Sequence, residues 1–248
     1  MPVFDERENL VPFVGELRGE LQKLGLPFEI VAVDDGSRDG GREVLAKLAA
    51  DVPELRVLFF DRNRGKSAAL LAGFDAACGD AIVTIDADLQ NDPADIARML
   101  ERLPECDLVA GVRRARSDTW LRKLSSRVAN GVRARVLGDG VSDTGCALKL
   151  FRREQALRFA RFEGMHRFLP ALVQLQGGRV VEVPVNDRPR HWGRAKYGVG
   201  NRLFRGLLDM AGVWWLKRRA LRFEGVREIA PQAPLKPLAR ARDDEETE

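Results

Sequence analysis

Short apolar runs alternate with helix-length amphipathic stretches through the first two-thirds of the chain. Phe28–Val33 (FEIVAV), Leu55–Phe60 (LRVLFF), Ala81–Ile85 (AIVTI) and Asp107–Ala110 (DLVA) are short, mostly apolar and rich in branched residues, as buried strands are. Between them, apolar positions recur every three or four residues over Glu8–Leu24, Gly40–Ala50, Lys66–Ala77 and Pro93–Leu103, which predicts helices. Strands alternating with helices imply βαβ units and a mostly parallel sheet flanked by helices, an α/β fold. From Val141 the rhythm changes. Ala147–Phe151 and Arg179–Val185 read as further strands, Asn186–Gly200 as a basic, glycine-containing loop, and Arg202–Phe223 as an amphipathic helix. The expected division is a catalytic domain over 1–200, the helix over 201–223 and a disordered tail over 224–248.

Each early strand ends in acidic or glycine-rich residues. Ligands of parallel α/β sheets collect beyond the carboxyl ends of the strands, so these ends are the first candidate site. Asp86-Ala87-Asp88-Leu89-Gln90 follows AIVTI. Carboxylates at alternate positions past a strand end can both reach a divalent cation, with the Gln90 amide oxygen as a further hard ligand for Mg2+ or Mn2+. A turn built on aspartates explains the same residues. An EF-hand does not, because Asn91 and Ala97 stand where glycine and glutamate are needed. Asp34-Asp35-Gly36-Ser37 ends the FEIVAV strand, where a carboxylate can meet a base or ribose and Ser37 or Asp39 can cap the next helix. No GxGxxG is present, which argues against a dinucleotide site.

Composition narrows the partners. The 248 residues carry a net charge of only +4, but basic residues crowd 113–135 and 188–222. That distribution suits phosphate-bearing partners and equally a pair of solvated faces. Cys78, Cys106 and Cys146 show no CxxC spacing, which points to a reducing compartment without disulfides or zinc. No signal peptide is visible, and no apolar run reaches the ~20 residues of a membrane span.

Taken in order, PVFDE (Pro2–Glu6), VDDGS, Asn63-Arg64-Gly65-Lys66, DADLQ, Gly111-Val112-Arg113, Asp143-Thr144-Gly145 and Arg190-His191-Trp192-Gly193-Arg194-Ala195-Lys196-Tyr197 resemble the family 2 glycosyltransferases of GT-A fold, a Rossmann-like nucleotide-sugar-binding fold. The likeness is to the dolichol-phosphate mannosyltransferase group, and within it to bacterial enzymes that load a sugar onto undecaprenyl phosphate. The resemblance implies inverting transfer of a sugar from a nucleotide-sugar donor to a polyprenyl phosphate, with Mg2+ or Mn2+, by a peripheral protein on the cytoplasmic face of the bacterial inner membrane. It implies that Pro2, Phe4, Glu6, Val33 and Asp35 hold the base and ribose. Asp86, Ala87, Asp88 and Gln90 would meet diphosphate and metal, with Asp86, Asp88 and Arg113 the catalytic set. Arg113, Arg122 and Ser126 would hold the acceptor phosphate, and Arg190 and Lys196 would close over the donor. Val112 and Ala195 stand where the group commonly has serine, removing two hydroxyls from phosphate-facing loops. Only Met1 precedes PVFDE where the group carries an apolar strand, so the first strand is expected to be short unless the chain starts further upstream. Two other readings stand beside this one: a family 2 transferase acting on a glycan or protein hydroxyl, and a basic nucleic-acid-binding module, which gives the strand-end carboxylates no role.

Overall fold

The computed structural model describes residues 1–113, 131, 133–189 and 200–220. The order of elements is β1 (Pro2–Val3), α1 (Arg7–Lys23), β2 (Ile30–Asp34), α2 (Gly41–Asp51), β3 (Leu55–Phe59), α3 (Lys66–Ala76), β4 (Ala81–Thr84), α4 (Asp95–Arg102) and β5 (Leu108–Arg113). Then follow β6 (Lys149–Arg152), α5 (Arg153–Leu157), α6 (Leu169–Leu175), β7 (Val180–Val185) and α7 (Gly200–Arg219). The periodicities explain the elements. Leu10, Phe13, Val14 and Leu17 of α1 fall on one stripe at three- and four-residue spacing, and all four are buried. The helix expected from Pro93 begins at Asp95 and tightens at its end into a 3-10 turn, Leu103–Glu105.

β3, β2 and β1 form one parallel sheet, with Pro2 opposite Val33 and Ile30 opposite Leu55. β4, β6, β5 and β7 form a second, in which β5 and β7 are parallel. β6 runs antiparallel between β4 and β5. Because β4 and β5 both oppose β6, they are parallel to each other, and their carboxyl ends share one edge of the sheet. β1 is only two residues long. Where it stops, a mostly apolar cavity of about 230 Å3 lies between Met1, Ile30 and Val31 on one side and Ala81, Ile82 and Val83 of β4 on the other.

One core cluster packs α1, α2 and α4 on the strands through Leu10, Phe13, Leu45, Met99, Val109 and Leu150. A second gathers Phe74, Phe151 and Phe159, whose rings meet edge to face at 5.3–6.1 Å, together with Leu137, Leu172 and Val213 of α7. Through Val213, α7 therefore belongs to the folded body. Among the described residues no helix is long and apolar enough to cross a membrane.

Candidate functional site

The loops after β1 and β2 are sewn together. The Asp5 backbone N–H donates to Ser37 Oγ at 2.9 Å, and the Arg38 N–H donates to the Asp5 carboxylate at 2.7 Å. Asp34 accepts the Ser37 N–H at 3.2 Å and pairs with Arg42, also at 3.2 Å. Gly36 has φ +74°, and a side chain there would come within 2.5 Å of the Arg62 backbone, so this turn needs glycine. Asp35 is buried and accepts the Arg64 and Gly65 N–H groups at 2.6 and 2.9 Å. Burial raises its carboxyl above the usual range and the Asp34 carboxylate adds to the rise, while those two bonds oppose it. Asp35 thus fixes the loop that leads into α3. Val33 is fully buried in β2, and Glu6 accepts a hydrogen bond from Asn9 at 2.5 Å. Pro2, Phe4, Glu6, Val33 and Asp35 are brought to one end of the first sheet.

Past β4 the chain bends. Ala87 and Leu89 are buried in the core, while Asp86 and Gln90 are partly open and Asp88 is nearly covered. Leu89 has φ +62° and turns the backbone so that the Asp88 carboxylate accepts the Gln90 N–H at 3.2 Å. Asp86, Asp88 and the Gln90 amide offer hard oxygens within one short loop, a donor set that fits Mg2+ or Mn2+. Among the described residues no three His, Cys, Asp or Glu side chains converge to hold a metal. A cation here would complete its shell with phosphate oxygens or water, as Mg2+ commonly does.

Basic groups surround these carboxylates. Lys66, the first residue of α3, lies 2.7 Å from the Asp86 carboxylate. Burial would raise the Asp86 carboxyl, but Lys66, then Lys149 and His166, outweigh it and hold it below its ordinary value. Lys149 is buried in β6 and donates to the Thr144 and Cys146 carbonyls, and burial pushes its ammonium down to about 8. His166 Nδ1 lies 2.8 Å from Ser67 Oγ, which accepts the Gly164 N–H at 3.0 Å. Burial, then Lys66 and Arg167, push the imidazole down to about 3, so it is neutral near pH 7. At the end of β5, Arg113 donates to both oxygens of Asp143 at 2.8 and 2.9 Å. Beyond β7 the chain crosses the DADLQ loop: the Arg188 N–H donates to the Gln90 carbonyl at 2.8 Å, and Asn91 bridges to Asp187.

Of the residues singled out from sequence, Asp86, Ala87, Asp88, Gln90 and Arg113 stand at the shared carboxyl edge of β4 and β5. Arg122, Ser126, Arg190 and Lys196 lie outside the described residues. The sequence assigns no role to Lys66, Asp143 or Lys149, and reads His166 as a loop or packing residue rather than a base. Lys66 and Asp143 lie inside the Asn63–Lys66 and Asp143–Gly145 motifs, but no local signal names their partners. Lys149 and His166 carried no signal beyond residue type.

The chain matches the family model for glycosyl transferase family 2 over residues 1–157, and it belongs to that family. It is 36% identical over 202 residues to the undecaprenyl-phosphate 4-deoxy-4-formamido-L-arabinose transferase of Edwardsiella ictaluri, covering 80% of this chain and 62% of that protein. The protein of the same name from Pectobacterium atrosepticum is 36% identical over 200 residues, covering 79% and 61%. The chain thus spans about three-fifths of the length of these curated relatives. Among solved structures, glucosyl-3-phosphoglycerate synthase from Mycobacterium tuberculosis, in complex with Mn2+ and UDP-glucose, aligns with TM-score 0.62 at 20% identity over 85% of this chain and 77% of that one. Mannosyl-3-phosphoglycerate synthase from Rubrobacter xylanophilus aligns with TM-score 0.62 at 17% identity over 94% and 76%. The fold is the GT-A fold that the sequence motifs implied.

Proposed function

We propose that the chain transfers a sugar, with inversion, from a nucleotide-sugar donor to a polyprenyl phosphate at a membrane surface. The carrying observation is that Asp86, Asp88 and Gln90 stand together in the short loop past β4, on the same sheet edge as Arg113. The names of the relatives support a polyprenyl-phosphate acceptor, and the Mn2+ and UDP-glucose complex of a structural neighbour supports a metal-bound diphosphate donor.

In this reading Asp86, Asp88 and Gln90 hold Mg2+ or Mn2+, which when bound offsets charge on the leaving diphosphate. The ends of β1 and β2 and the loops that follow them, with Pro2, Phe4, Glu6, Val33 and Asp35, hold base and ribose. Arg113 positions the acceptor phosphate together with Arg122 and Ser126, and Arg190 and Lys196 close over the donor. A phosphate monoester is largely dianionic near pH 7, its second pKa being about 6, so it attacks the anomeric carbon without a general base. Positioning cations then matter more than a proton acceptor. The neutral, enclosed His166 fits a packing role.

α7 gives the membrane reading its geometry. Val213 is buried against the body and Asp209 pairs with Arg167 at 3.4 Å, whereas Leu207, Leu208, Trp214 and Trp215 are exposed on the opposite face. Arg218 lies 4.3 Å over the Trp214 ring and Arg219 6.0 Å over that of Trp215. Exposed tryptophans edged by arginines suit the head-group region of an anionic bilayer, on the cytoplasmic face in this reading. The test is a transfer assay with Mn2+, a panel of nucleotide-sugars and undecaprenyl phosphate in detergent or vesicles. Formation of a lipid-linked sugar supports the proposal; transfer only to glycan or protein hydroxyls overturns it.

A further inference from the structure

Lys66, Lys149 and His166 all act on Asp86, and they differ in how free they are to move. Lys149 is buried and tied to the Thr144 and Cys146 carbonyls. His166 is neutral and held by Ser67. Lys66 alone of these three pairs directly with the Asp86 carboxylate, at 2.7 Å, and its side chain is 34% accessible, against 30% for Asp86. The backbone beneath it is fixed: Asp35 holds the Arg64 and Gly65 N–H groups, and the buried Ser67 hydroxyl accepts the Gly164 N–H. A flexible four-carbon stem on a rigid base lets the ammonium swing without disturbing the site.

We propose that Lys66 is a placeholder cation, neutralising Asp86 before donor arrives and surrendering it to a divalent ion that enters with the nucleoside diphosphate. The inference rests on the reading of Asp86 and Asp88 as cation ligands. The physical reason is charge balance. Burial makes the charged Asp86 carboxylate costly without a counter-ion, and the Lys66 ammonium at 2.7 Å supplies one. A divalent ion beside both carboxylates does the same more strongly but cannot share Asp86 with an ammonium at that distance, because like charges repel. Lys66 must then leave, and the nearest new negative charge is the diphosphate. The exchange makes metal binding weak without donor and strong with it, so the site is loaded by both together.

The test uses the full chain and Mn2+ followed by electron paramagnetic resonance, first alone and then with UDP or GDP, with circular dichroism as the check on folding. Lys66→Met should bind Mn2+ alone about two- to fivefold more tightly than the unaltered protein, the range that loss of a competing part-exposed ion pair corresponds to. The same variant should bind the Mn2+-nucleoside diphosphate pair more weakly, and Lys66→Arg, which keeps the charge, should stay near the unaltered protein in the first measurement. Lys66→Gln replaces Lys66→Met if the latter does not fold. Changes of opposite sign would not arise from a merely structural role. If the unaltered protein binds Mn2+ and neither neutral variant binds it more tightly, the placeholder role is overturned while the cation reading stands. If the unaltered protein binds no Mn2+ with or without nucleotide, the cation reading itself falls, and this inference with it.

Discussion

The guanidinium of Arg113 and the carboxylate of Asp143, thirty positions apart, meet as a two-pronged pair, with bonds of 2.8 and 2.9 Å between largely enclosed side chains. Such a fork fixes the plane of the arginine, which a single contact would leave free to rotate. Asp143→Ala should cost on the order of 2 kcal/mol of stability, because it leaves an enclosed guanidinium short of its partner. In a double-mutant cycle, Arg113→Ala with Asp143→Ala should cost less than the sum of the single changes. Additive losses in chemical denaturation would show that the pair is not energetically coupled.

Asp88→Ala should leave the fold intact, with a thermal midpoint close to that of the unaltered protein, and should abolish both sugar transfer and metal-dependent binding of nucleoside diphosphate. Calorimetric titration with and without chelator separates the two effects. Undiminished metal-dependent binding would remove Asp88 from the cation site.

His166 makes acid stability a test of burial. Its ordinary value is 6.5, and in the folded protein it is pushed down to about 3 by burial, then by Lys66 and Arg167, with Asp86 opposing and Lys149 adding to the fall. As pH drops from 6.5 towards 3, the unfolded chain takes up a proton that the native chain refuses, so stability is lost on acidification by at most about 1.4 kcal/mol per pH unit. Thermal scans across this window should show a steeper decline for the unaltered protein than for His166→Gln. Parallel curves would mean the imidazole charges freely in the fold.

The exposed face of α7 predicts binding to vesicles rich in anionic lipid. The protein should sediment with them at low salt, high salt should release part of it, and Trp214→Ser with Trp215→Ser should release more. If the unaltered protein stays in the supernatant, that face meets protein instead of lipid.

Much of the fold and the site's placement was legible because both depend on short-range regularities. AIVTI reads as a strand from its branched, apolar run, and DADLQ reads as its polar exit, which puts Asp86 and Asp88 at a strand end. The antiparallel insertion of β6 was not legible: Lys149–Arg152 carries a strand pattern but nothing local that states its direction or neighbours. The two faces of α7 were readable as a helix with apolar and basic residues, yet not which apolar residues the body covers. Val213 and Trp214 are adjacent, and one is buried while the other is exposed.

The sequence by itself determined the order of strands and helices, the strand-end position of the carboxylates and the turn at Gly36, since propensity, periodicity and turn chemistry act over a few residues. Only the tertiary structure decided that Lys66 faces Asp86, that Asp143 grips Arg113 and that Asp35 secures the loop before α3. Those pairings join residues twenty to thirty positions apart, and their partners are chosen by how sheets and helices pack, which no local pattern encodes.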